Sequence, residues 1–283
     1  MTSEAVQTAL AKVRLIVVHG GIAHLDDIMA CALAYAYGVP HNVQIDRRNP
    51  TPEELDSPAV LVLDVGGVHD PARLDFDHHQ RPRTDEPKCA FKLLGEWLGE
   101  DETLSRLFPW YSVWNVVDVL GPFAAASSMG TTWADIEGLV DNPLADFVVR
   151  RFVDDPSFRC KTARSLGNGI ALTLRLWSSL EENAVRLELC GLPVADFTAC
   201  STEAISRCSD AWIRLNSPAC IISKDHRGEG LTILRCNDDP RLDFTRCEGK
   251  PYAAFCHPGG FLLKTASRSD DPAVAVSDAL VGG

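Results

Sequence analysis

Histidine and aspartate residues stand at the ends of three apolar runs in the first 80 residues of the sequence. The tripeptide Asp77-His78-His79 follows ARLDF, Asp64 follows AVLVL, and His19 follows RLIVV. Apolar runs of this kind form buried strands, and functional residues of open α/β sheets collect beyond the carboxyl ends of the strands. We therefore expect these residues, which are distant in sequence, to meet in one site.

The segment after the first run adds further candidate ligands. In HGGIAHLDD, His24 and Asp26 follow His19 within one turn and the start of a helix, and the glycines let the backbone fold tightly. Asp118, at the end of NVVDV, is a candidate from another element. Carboxylates and imidazoles without a thiolate suit Mn²⁺ or Mg²⁺ better than Zn²⁺. The sequence therefore predicts a divalent metal site.

A solvated turn or a helix cap is the ordinary explanation of one adjacent histidine pair. An Asp-His-His tripeptide arises by chance in roughly one chain in fifty of this composition, and the surrounding strand ends favour a metal site. The remaining acids and histidines are interpreted as structural: Asp27 as a helix-start charge, Asp70 and Asp75 as turn residues, and His41, His69 and His226 as surface or hydrogen-bonding residues.

The overall composition indicates a globular protein that repels polyanions. The chain has 283 residues, 46% of them hydrophobic, and a net charge of -12. Bulk charge therefore excludes nonspecific nucleic-acid binding, and a phosphate must be bound locally. Ten scattered cysteines without Cys-x-x-Cys, and no signal-peptide or membrane-spanning apolar run, predict reduced thiols and no membrane association. We expect a cytoplasmic location, with a nuclear or organellar one left open.

Two domains are expected from the patterning. Strand-like runs alternate with helical patterns over residues 1–185, which predicts an α/β fold with a mostly parallel, doubly wound sheet. Residues 186–283 contain short apolar runs cut by turn residues and a terminal helix, which predict a second, smaller α/β domain.

The segments HGGIAHLDD and LDVGGVHDPARLDFDHHQ resemble the DHH phosphoesterase superfamily, and they are most similar to its melanocyte-proliferating-gene-type exonuclease branch. FCHPGGFLLKTA is similar to a C-terminal His-x-x-Gly-Phe segment of that branch. The resemblance implies a DHH-type catalytic domain, a substrate-binding domain, and a Mn²⁺-dependent 3′-5′ exonuclease that acts on RNA or short oligonucleotides.

The resemblance also implies the roles of individual residues. Two divalent ions would be bound, and Mn²⁺ is expected in preference to Mg²⁺ or Zn²⁺. Asp64 would bridge the two ions. The other ligands would be His19 and His24 for one ion, and Asp26, His78 and Asp118 for the other. His79 would face the substrate phosphate rather than a metal, His257 of the smaller domain would close over the substrate, and both would be catalytic together with Asp64. Asp77 would orient an imidazole.

Basic and glycine-rich segments are candidates for further substrate contacts. Gly259 and Gly260 could bring backbone N–H groups close to a phosphate, with Lys264 or Arg268 as additional charges, although a plain glycine turn explains them equally. Arg81 to Arg83 could contact a nucleic-acid backbone, and a solvated loop explains them equally.

Three departures from the branch keep other functions open. Gly20 stands where the branch has Asn, VVDVLGPF replaces the fourth motif Asp-x-x-Asp-Asn-Gly, and KCAFKLLG replaces a small-residue helix start. The alternatives are a small-molecule phosphohydrolase, such as a pyrophosphatase or a cyclic-dinucleotide phosphodiesterase, and an inactive protein that retains metal. The sequence does not determine the oligomeric state.

Overall fold

The structure is a computed structural model that describes residues 3–82, 84–140 and 142–281, so that Arg83 of the predicted basic segment lies outside the described residues. The chain divides into two compact units, Met1–Leu172 and Thr173–Gly283. The division falls within the long helix Pro156–Asn183, before the boundary expected near residue 185. The assignment of a catalytic and a substrate-binding role to the two parts stays a prediction.

The first unit begins with strands and helices that alternate as far as β3, and two further strands and a run of helices follow. Its strands are β1 (Leu15–Val18), β2 (Gln44–Arg47), β3 (Val60–Leu63), β4 (His69–Asp70) and β5 (Asp75–Phe76). Its helices are α1 (Ser3–Leu10), α2 (Leu25–Ala36), α3 (Pro52–Leu55), α4 (Ala90–Leu98), α5 (Asp101–Leu107), α6 (Pro109–Leu120), α7 (Pro122–Ser128), α8 (Trp133–Val140), α9 (Pro143–Asp154) and the first part of α10 (Pro156–Asn183).

The five strands form one sheet in the order β2-β1-β3-β5-β4. All neighbouring pairs are parallel except β4 and β5. Val60 and Val62 of β3 pack with Leu55 of α3, while the alternating Leu61 and Leu63 are also fully buried, so both faces of β3 are covered. The predicted mostly parallel α/β sheet is confirmed.

Helix α2, which follows the loop after β1, is almost entirely buried. Ten of its twelve residues are buried, and the Tyr35 hydroxyl donates a hydrogen bond to the Val43 carbonyl at 2.8 Å. Helix α10 crosses α2 closely at Gly167, where a Cβ would lie 2.6 Å from the Ala32 carbonyl oxygen. A side chain at position 167 would therefore displace α2, which has the candidate ligand His24 at its N-cap and the candidate ligand Asp26 in its first turn.

The second unit contains a six-stranded, mostly antiparallel sheet. Its elements are the end of α10, β6 (Val185–Leu189), β7 (Leu192–Asp196), α11 (Thr202–Asn216), β8 (Cys220–Lys224), β9 (Leu231–Arg235), a 3-10 helix (Phe244–Cys247), β10 (Ala253–Cys256), β11 (Leu262–Thr265) and α12 (Pro272–Ala279). The strand order is β10-β11-β9-β8-β7-β6, and β7 and β8 form the parallel pair. The mixed α/β character predicted for this part is confirmed.

Helix α11 is not expected from the sequence. Ser201 caps it by accepting a hydrogen bond from the Ala204 backbone N–H, and its buried face includes Ala204, Cys208 and Trp212. The signal that could have predicted this helix is present in TEAISRCSDAWIRLN, where Ala204, Cys208, Ala211 and Trp212 recur at helical spacing after the capping Ser201.

The cysteines form no disulfide bond within the described residues. All ten of them lie in described residues and are free, and eight are buried. Across the described ranges, the helices include none with the length and apolar content that a bilayer crossing requires.

The predicted strand ARLDF is shorter in the structure, and Asp75 is a buried strand residue rather than a turn residue. Leu74 has a left-handed backbone (φ 67°), which delays the strand to Asp75–Phe76. Asp75 is paired with Asp70 across β4 and β5, and both of its carboxylate oxygens are buried without a hydrogen-bond partner. Burial, followed by the charge of Asp70, raises the pKa of Asp75 to about 7.

Replacing Asp75 with Asn should stabilise the protein at alkaline pH. The folded-state pKa lies above the ordinary value, so the stability that the neutral carboxyl provides is complete below about pH 4 and is lost as the pH rises through 7. We expect Asp75→Asn to raise the free energy of unfolding by about 1–2 kcal/mol at pH 8 and to have little effect at pH 5. Thermal denaturation across pH measures this, with exposed Asp154→Asn as the control. A pH-independent difference would contradict the assignment.

Candidate metal centre

The structure brings together residues that follow three neighbouring strands. Asp64 follows β3, His19 follows β1, and His78 and His79 follow β5. Because these strands are parallel, their carboxyl ends share one edge of the sheet. Ligand atoms of Asp64, His78 and His79 lie within 4.8 Å of one another.

Helices complete a second group of ligand atoms around Asp64. Asp26, in the first turn of α2, and Asp118, in the last turn of α6, approach Asp64 and His78 so that one ligand atom of each lies within 4.8 Å of the others. His78 Nε2 is 2.9 Å from Asp64 Oδ1 and 3.1 Å from Asp118 Oδ2. This is the set of four that the resemblance implies for one ion.

A third group differs from the set that the resemblance implies for the other ion. His19 and Asp64 are joined by Asp27, again within 4.8 Å, whereas His24 Nδ1 lies 3.4 Å from Asp118 Oδ1. Sequence reasoning treats Asp27 only as a helix-start charge. Asp27 Oδ2 does accept a hydrogen bond from the His24 backbone N–H at 3.0 Å, but Asp27 Oδ1 is buried without a partner. The sequence feature that could have indicated a ligand role for Asp27 is its position next to the candidate ligand Asp26.

Asp64 belongs to all three groups and has a strained backbone. Its φ is 60°, in the left-handed region that non-glycine residues rarely adopt. Such strain costs about 1–3 kcal/mol and persists only where the surrounding structure enforces it. The position of Asp64 at the intersection of the ligand groups is consistent with a bridging role.

The glycines of the first loop permit close packing. A Cβ on Gly21 would lie 2.8 Å from His19 Cε1, so a side chain there would displace the imidazole. A Cβ on Gly20 would lie 3.1 Å from the Arg48 Cα, so the Asn of the related branch would require a backbone shift here. Arg47 secures the loop by donating a hydrogen bond to the Gly21 carbonyl at 2.6 Å.

Asp77 is a buried carboxylate that orients His79. Its Oδ1 accepts a hydrogen bond from the His79 backbone N–H at 3.0 Å and lies 2.8 Å from His79 Nδ1, and its Oδ2 accepts from the Gly67 backbone N–H at 2.6 Å. Burial alone would raise the pKa of Asp77, but these hydrogen bonds outweigh it and hold the pKa below its usual value. The charged carboxylate therefore fixes a proton on Nδ1 and leaves Nε2 for other contacts.

Burial and mutual repulsion dominate the electrostatics of the ligand groups. Burial, together with the charges of Asp64, Asp118 and Asp27, raises the pKa of Asp26 well above its usual value. Burial also lowers the pKa of His78, but Asp118 and Asp64 outweigh it and raise that pKa to about 10. A proton on His78 thus partly neutralises the negative charge of the carboxylates, and a divalent cation would neutralise more of it.

The donor set fits divalent cations. The buried atoms without a hydrogen-bond partner include both carboxylate oxygens of Asp26, together with Asp27 Oδ1 and His19 Nδ1, while Asp64 Oδ1 and His78 Nε2 face each other at 2.9 Å. Buried charges are stable only when they are paired or coordinate a metal. Oxygen and imidazole nitrogen atoms without a thiolate in the groups suit Mn²⁺ or Mg²⁺.

Asn115 fixes the helix that provides Asp118. Its side chain is buried, its Oδ1 accepts from the Cys89 backbone N–H at 2.8 Å, and its Nδ2 donates to the Pro87 carbonyl at 2.8 Å. These bonds tie α6 to the segment that precedes α4. Sequence reasoning does not identify Asn115, because its partners are distant along the chain.

A polar cavity of about 190 Å³ adjoins the ligand groups. His24, His78, His79 and Asp118 form one part of its lining, and Arg81 and Lys88 contribute positive charge. Lys88 is ion-paired with Glu96 at 2.7 Å, and Arg81 lies 4.0 Å from Asp85. Arg81 is the described member of the predicted basic segment that lines this cavity.

The remaining predicted site residues lie in the second unit. His257 and Gly260 belong to the turn between β10 and β11, where Gly260 has a left-handed backbone (φ 68°) and Gly259 N donates to His257 Nδ1 at 3.0 Å. Lys264 Nζ is ion-paired with the buried Asp225 at 2.8 Å. Substrate contacts by these residues stay predictions.

These features define the first unit as an α/β domain with a candidate divalent-metal centre at the carboxyl end of a parallel sheet. Residues 15–93 match the model of the family described as "Uncharacterised protein family (UPF0160)", whose model is named for the MYG1 exonuclease. The resemblance to the melanocyte-proliferating-gene-type exonuclease branch, predicted from the sequence, is confirmed over this matched segment.

Individual relatives match only part of the chain. The human MYG1 exonuclease is 42% identical over 67 residues, which are 24% of this chain, and the bovine protein is 40% identical over the same length. The matched part spans 17% of the length of these relatives. The segment covered by the family model contains His19, Asp64 and His78 but ends before Asp118.

Solved structures show more distant likenesses. A DHH domain described as a member of the s1p family of ribosomal proteins has a TM-score of 0.30 at 12% identity and covers 98% of this chain and 88% of its own. RecJ from Thermus thermophilus in complex with Mn²⁺ has a TM-score of 0.27 at 15% identity and covers 98% of this chain and 52% of its own. At these TM-scores the likenesses add nothing to what the site itself shows.

Replacing Asp26 with Asn should separate electrostatic repulsion from metal binding. Where the pH is high enough to ionise Asp26, whose pKa is raised, the neutral amide removes one buried negative charge, so we expect the melting temperature in EDTA to rise by about 2–6 °C at alkaline pH. The increase in melting temperature that Mn²⁺ produces should fall or vanish, because a ligand oxygen is lost. Differential scanning fluorimetry with and without Mn²⁺ measures both effects, and Asp154→Asn is the control. Equal Mn²⁺ stabilisation of wild type and Asp26→Asn would exclude Asp26 as a ligand.

Replacing Asn115 with Ala should weaken metal binding from a distance. Two backbone groups lose their partners and α6 loses its tether, so Asp118 should move relative to His78. We expect about tenfold weaker Mn²⁺ binding by isothermal titration calorimetry and a destabilisation of about 2–3 kcal/mol. Asn142→Ala, which removes the cap of α9, is a control that destabilises a helix elsewhere. If both variants keep the wild-type Mn²⁺ affinity, Asn115 does not position the site.

Proposed function

We propose that the chain is a divalent-metal-dependent phosphodiesterase, and that it acts as an exonuclease on RNA or short oligonucleotides with Mn²⁺ as the preferred ion. The observation that carries the proposal is the convergence of buried, unpartnered carboxylate and imidazole atoms on Asp64, beside a polar cavity that contains His79, Arg81 and Lys88. Such a donor set is suited to phosphoryl transfer, because paired divalent ions stabilise both the attacking and the leaving oxygen of an in-line displacement.

The ligand groups suggest how two ions would be held. Asp26, Asp64, His78 and Asp118 would bind one ion, and His19, Asp64 and Asp27 would bind the other, with His24 acting through its contact with Asp118. When bound, such ions supply the positive charge that lowers the pKa of an attacking water and stabilises the developing charge on a phosphate. Asp64 would be the shared ligand.

His79 is suited to contact the substrate phosphate. The Asp77 carboxylate holds the Nδ1 side of its ring, more than half of the side chain is exposed, and the ring lines the polar cavity. Nε2 can therefore donate to a phosphate oxygen when the imidazole is protonated. Arg81 and Lys88 would add positive charge to the same cavity.

The finer substrate assignment rests on the relatives. The curated relatives are named exonucleases, and the resemblance supplies RNA and the 3′-5′ direction. The net charge of -12 opposes long-range attraction of nucleic acid, so binding must depend on metal ions and local contacts at the cavity. We therefore propose that short, single-stranded ends are preferred over long duplexes.

A small-molecule phosphohydrolase is the second candidate. The observation that favours it is the small volume of the polar cavity, about 190 Å³, which suits the phosphate groups of a compact substrate. Pyrophosphate and cyclic dinucleotides are the corresponding substrate classes. Assays of phosphate or nucleotide release from both, beside an oligonucleotide assay, separate this candidate from an exonuclease.

Oligonucleotide cleavage by a double variant tests the main proposal. Purified protein with Mn²⁺ should convert end-labelled RNA into a ladder of shorter products, and His78→Ala/His79→Ala should reduce the rate by at least about 10³-fold, because a ligand and a phosphate contact are both lost. The matched control is His226→Ala, which removes an exposed histidine outside the site.

The pattern of activities decides between the alternatives. Equal background in wild type and double variant, on RNA and on DNA, would refute the nuclease. Turnover of pyrophosphate or a cyclic dinucleotide without a ladder would establish the second candidate. Bound metal by elemental analysis, without turnover of any phosphoester, would indicate an inactive metal-binding protein.

A further inference from the structure

A second and larger cavity adjoins the metal centre. It has a volume of about 600 Å³, which is within the range of small-molecule binding sites. The first turn of α2 and helices α6 to α9 enclose it, and three residues of the metal centre, His24, Asp26 and Asp118, form part of its wall. His24 and Asp118 also line the polar cavity, so the two cavities meet at these side chains.

The lining of this larger cavity is mainly apolar and aromatic. Ile22, Trp114, Trp133 and Val149 are among its lining residues. Of the described residues that line it, none is lysine or arginine, and its charged members are acidic apart from His24. A phosphate would therefore be disfavoured here, whereas a flat, uncharged aromatic group would bury apolar surface.

The two tryptophan rings are held in place by neighbouring side chains. Trp114 packs against Trp110, with ring centroids 4.6 Å apart. Trp133 Nε1 donates a hydrogen bond to Glu137 at 3.2 Å, and its ring centroid lies 6.5 Å from that of Phe123. Ring faces that are already positioned lose little conformational entropy on binding. They are suited to stack on a planar heterocycle.

The entrance of the cavity is also apolar. Ile22, in the loop between the predicted ligands His19 and His24, is 78% exposed. An exposed isoleucine in a metal-binding loop gains nothing from water, but it would be covered by a group that enters the cavity. Ile22 therefore extends the apolar lining of the larger cavity to its solvent-exposed edge.

We propose that the larger cavity binds the nucleobase of the nucleotide whose phosphate lies at the metal centre. The inference rests on the proposed phosphodiesterase function and specifies its substrate class as nucleotides. The phosphate occupies the polar cavity with His79 and Arg81, the base occupies the apolar cavity between the tryptophans, and the sugar passes His24 and Asp118. Stacking on a ring face accepts every base, so the site requires a base without selecting a sequence.

Equilibrium binding of nucleotides with and without a base tests the inference. Isothermal titration calorimetry in Mn²⁺ should show adenosine 5′-monophosphate and uridine 5′-monophosphate binding at least about tenfold more tightly than ribose 5-phosphate. Ala145→Trp, which fills the cavity from α9, should remove this difference and leave the affinities for ribose 5-phosphate and Mn²⁺ unchanged. Ala134→Trp, the same substitution at an exposed position of α8, should behave as wild type.

A second variant protects the test against misfolding. If Ala145→Trp does not fold, Trp133→Leu should still lose most of the preference for nucleotides over ribose 5-phosphate, because it removes a stacking surface. Equal affinities of the wild type for all three ligands would overturn the inference. It would also be overturned if Ala145→Trp altered the oligomeric state in gel filtration without altering nucleotide affinity, because the cavity would then be covered by a second copy.

Failure of the inference can be distinguished from failure of the proposed function. Oligonucleotide cleavage without a base-dependent difference in binding would refute the base site alone. A base-dependent difference without cleavage of any phosphoester would leave the base site and refute the enzyme.

Discussion

Repulsion among buried carboxylates is the constraint on which the site depends. Asp26, Asp27 and Asp64 are at most 1% exposed, and Asp118 is mostly buried beside them. Among the side chains, His78 and His24 provide the nearest compensating charge, and the neighbouring carboxylates raise the pKa values of both histidines. Such an arrangement is costly for folding, and natural proteins retain it where a cation or a reaction requires it.

The scaffold keeps these groups together against that repulsion. Parallel strands deliver Asp64 and the histidines to one edge of the sheet, and α2 and α6 add carboxylates from the side. Two residues outside the ligand groups support them. Asp77 orients the His79 ring, and Asn115 holds α6 in place. The left-handed backbone of Asp64 shows that even the main chain is held in a costly conformation there.

The sequence is most informative where a local pattern determines the structure. Apolar runs that end at His19, Asp64 and Asp77 predict buried strands, because a strand can be recognised from a short segment of sequence. They also predict that these residues meet, because the carboxyl ends of parallel strands lie at the same edge of a sheet. Asp27 and Asn115 are not identified as site residues, because their roles depend on which side chains approach them from elsewhere. The expectation that Asp75 is a turn residue is wrong because Asp75 pairs with Asp70 in the sheet, and the left-handed Leu74, which sequence does not reveal, only shortens the predicted strand. The match to the family model ends at residue 93, so it does not support the ligand role predicted for Asp118.

The division of the chain has a consequence for synthesis. Every side chain in the three ligand groups, and both cavities beside them, lie before Leu172, within the first unit. Chains emerge from the ribosome amino terminus first, and domains generally fold as units during translation. The candidate ligand groups are thus complete in sequence while the second unit is still being made, so the proposed cations could bind the nascent polypeptide before the glycine-rich turn around His257 exists.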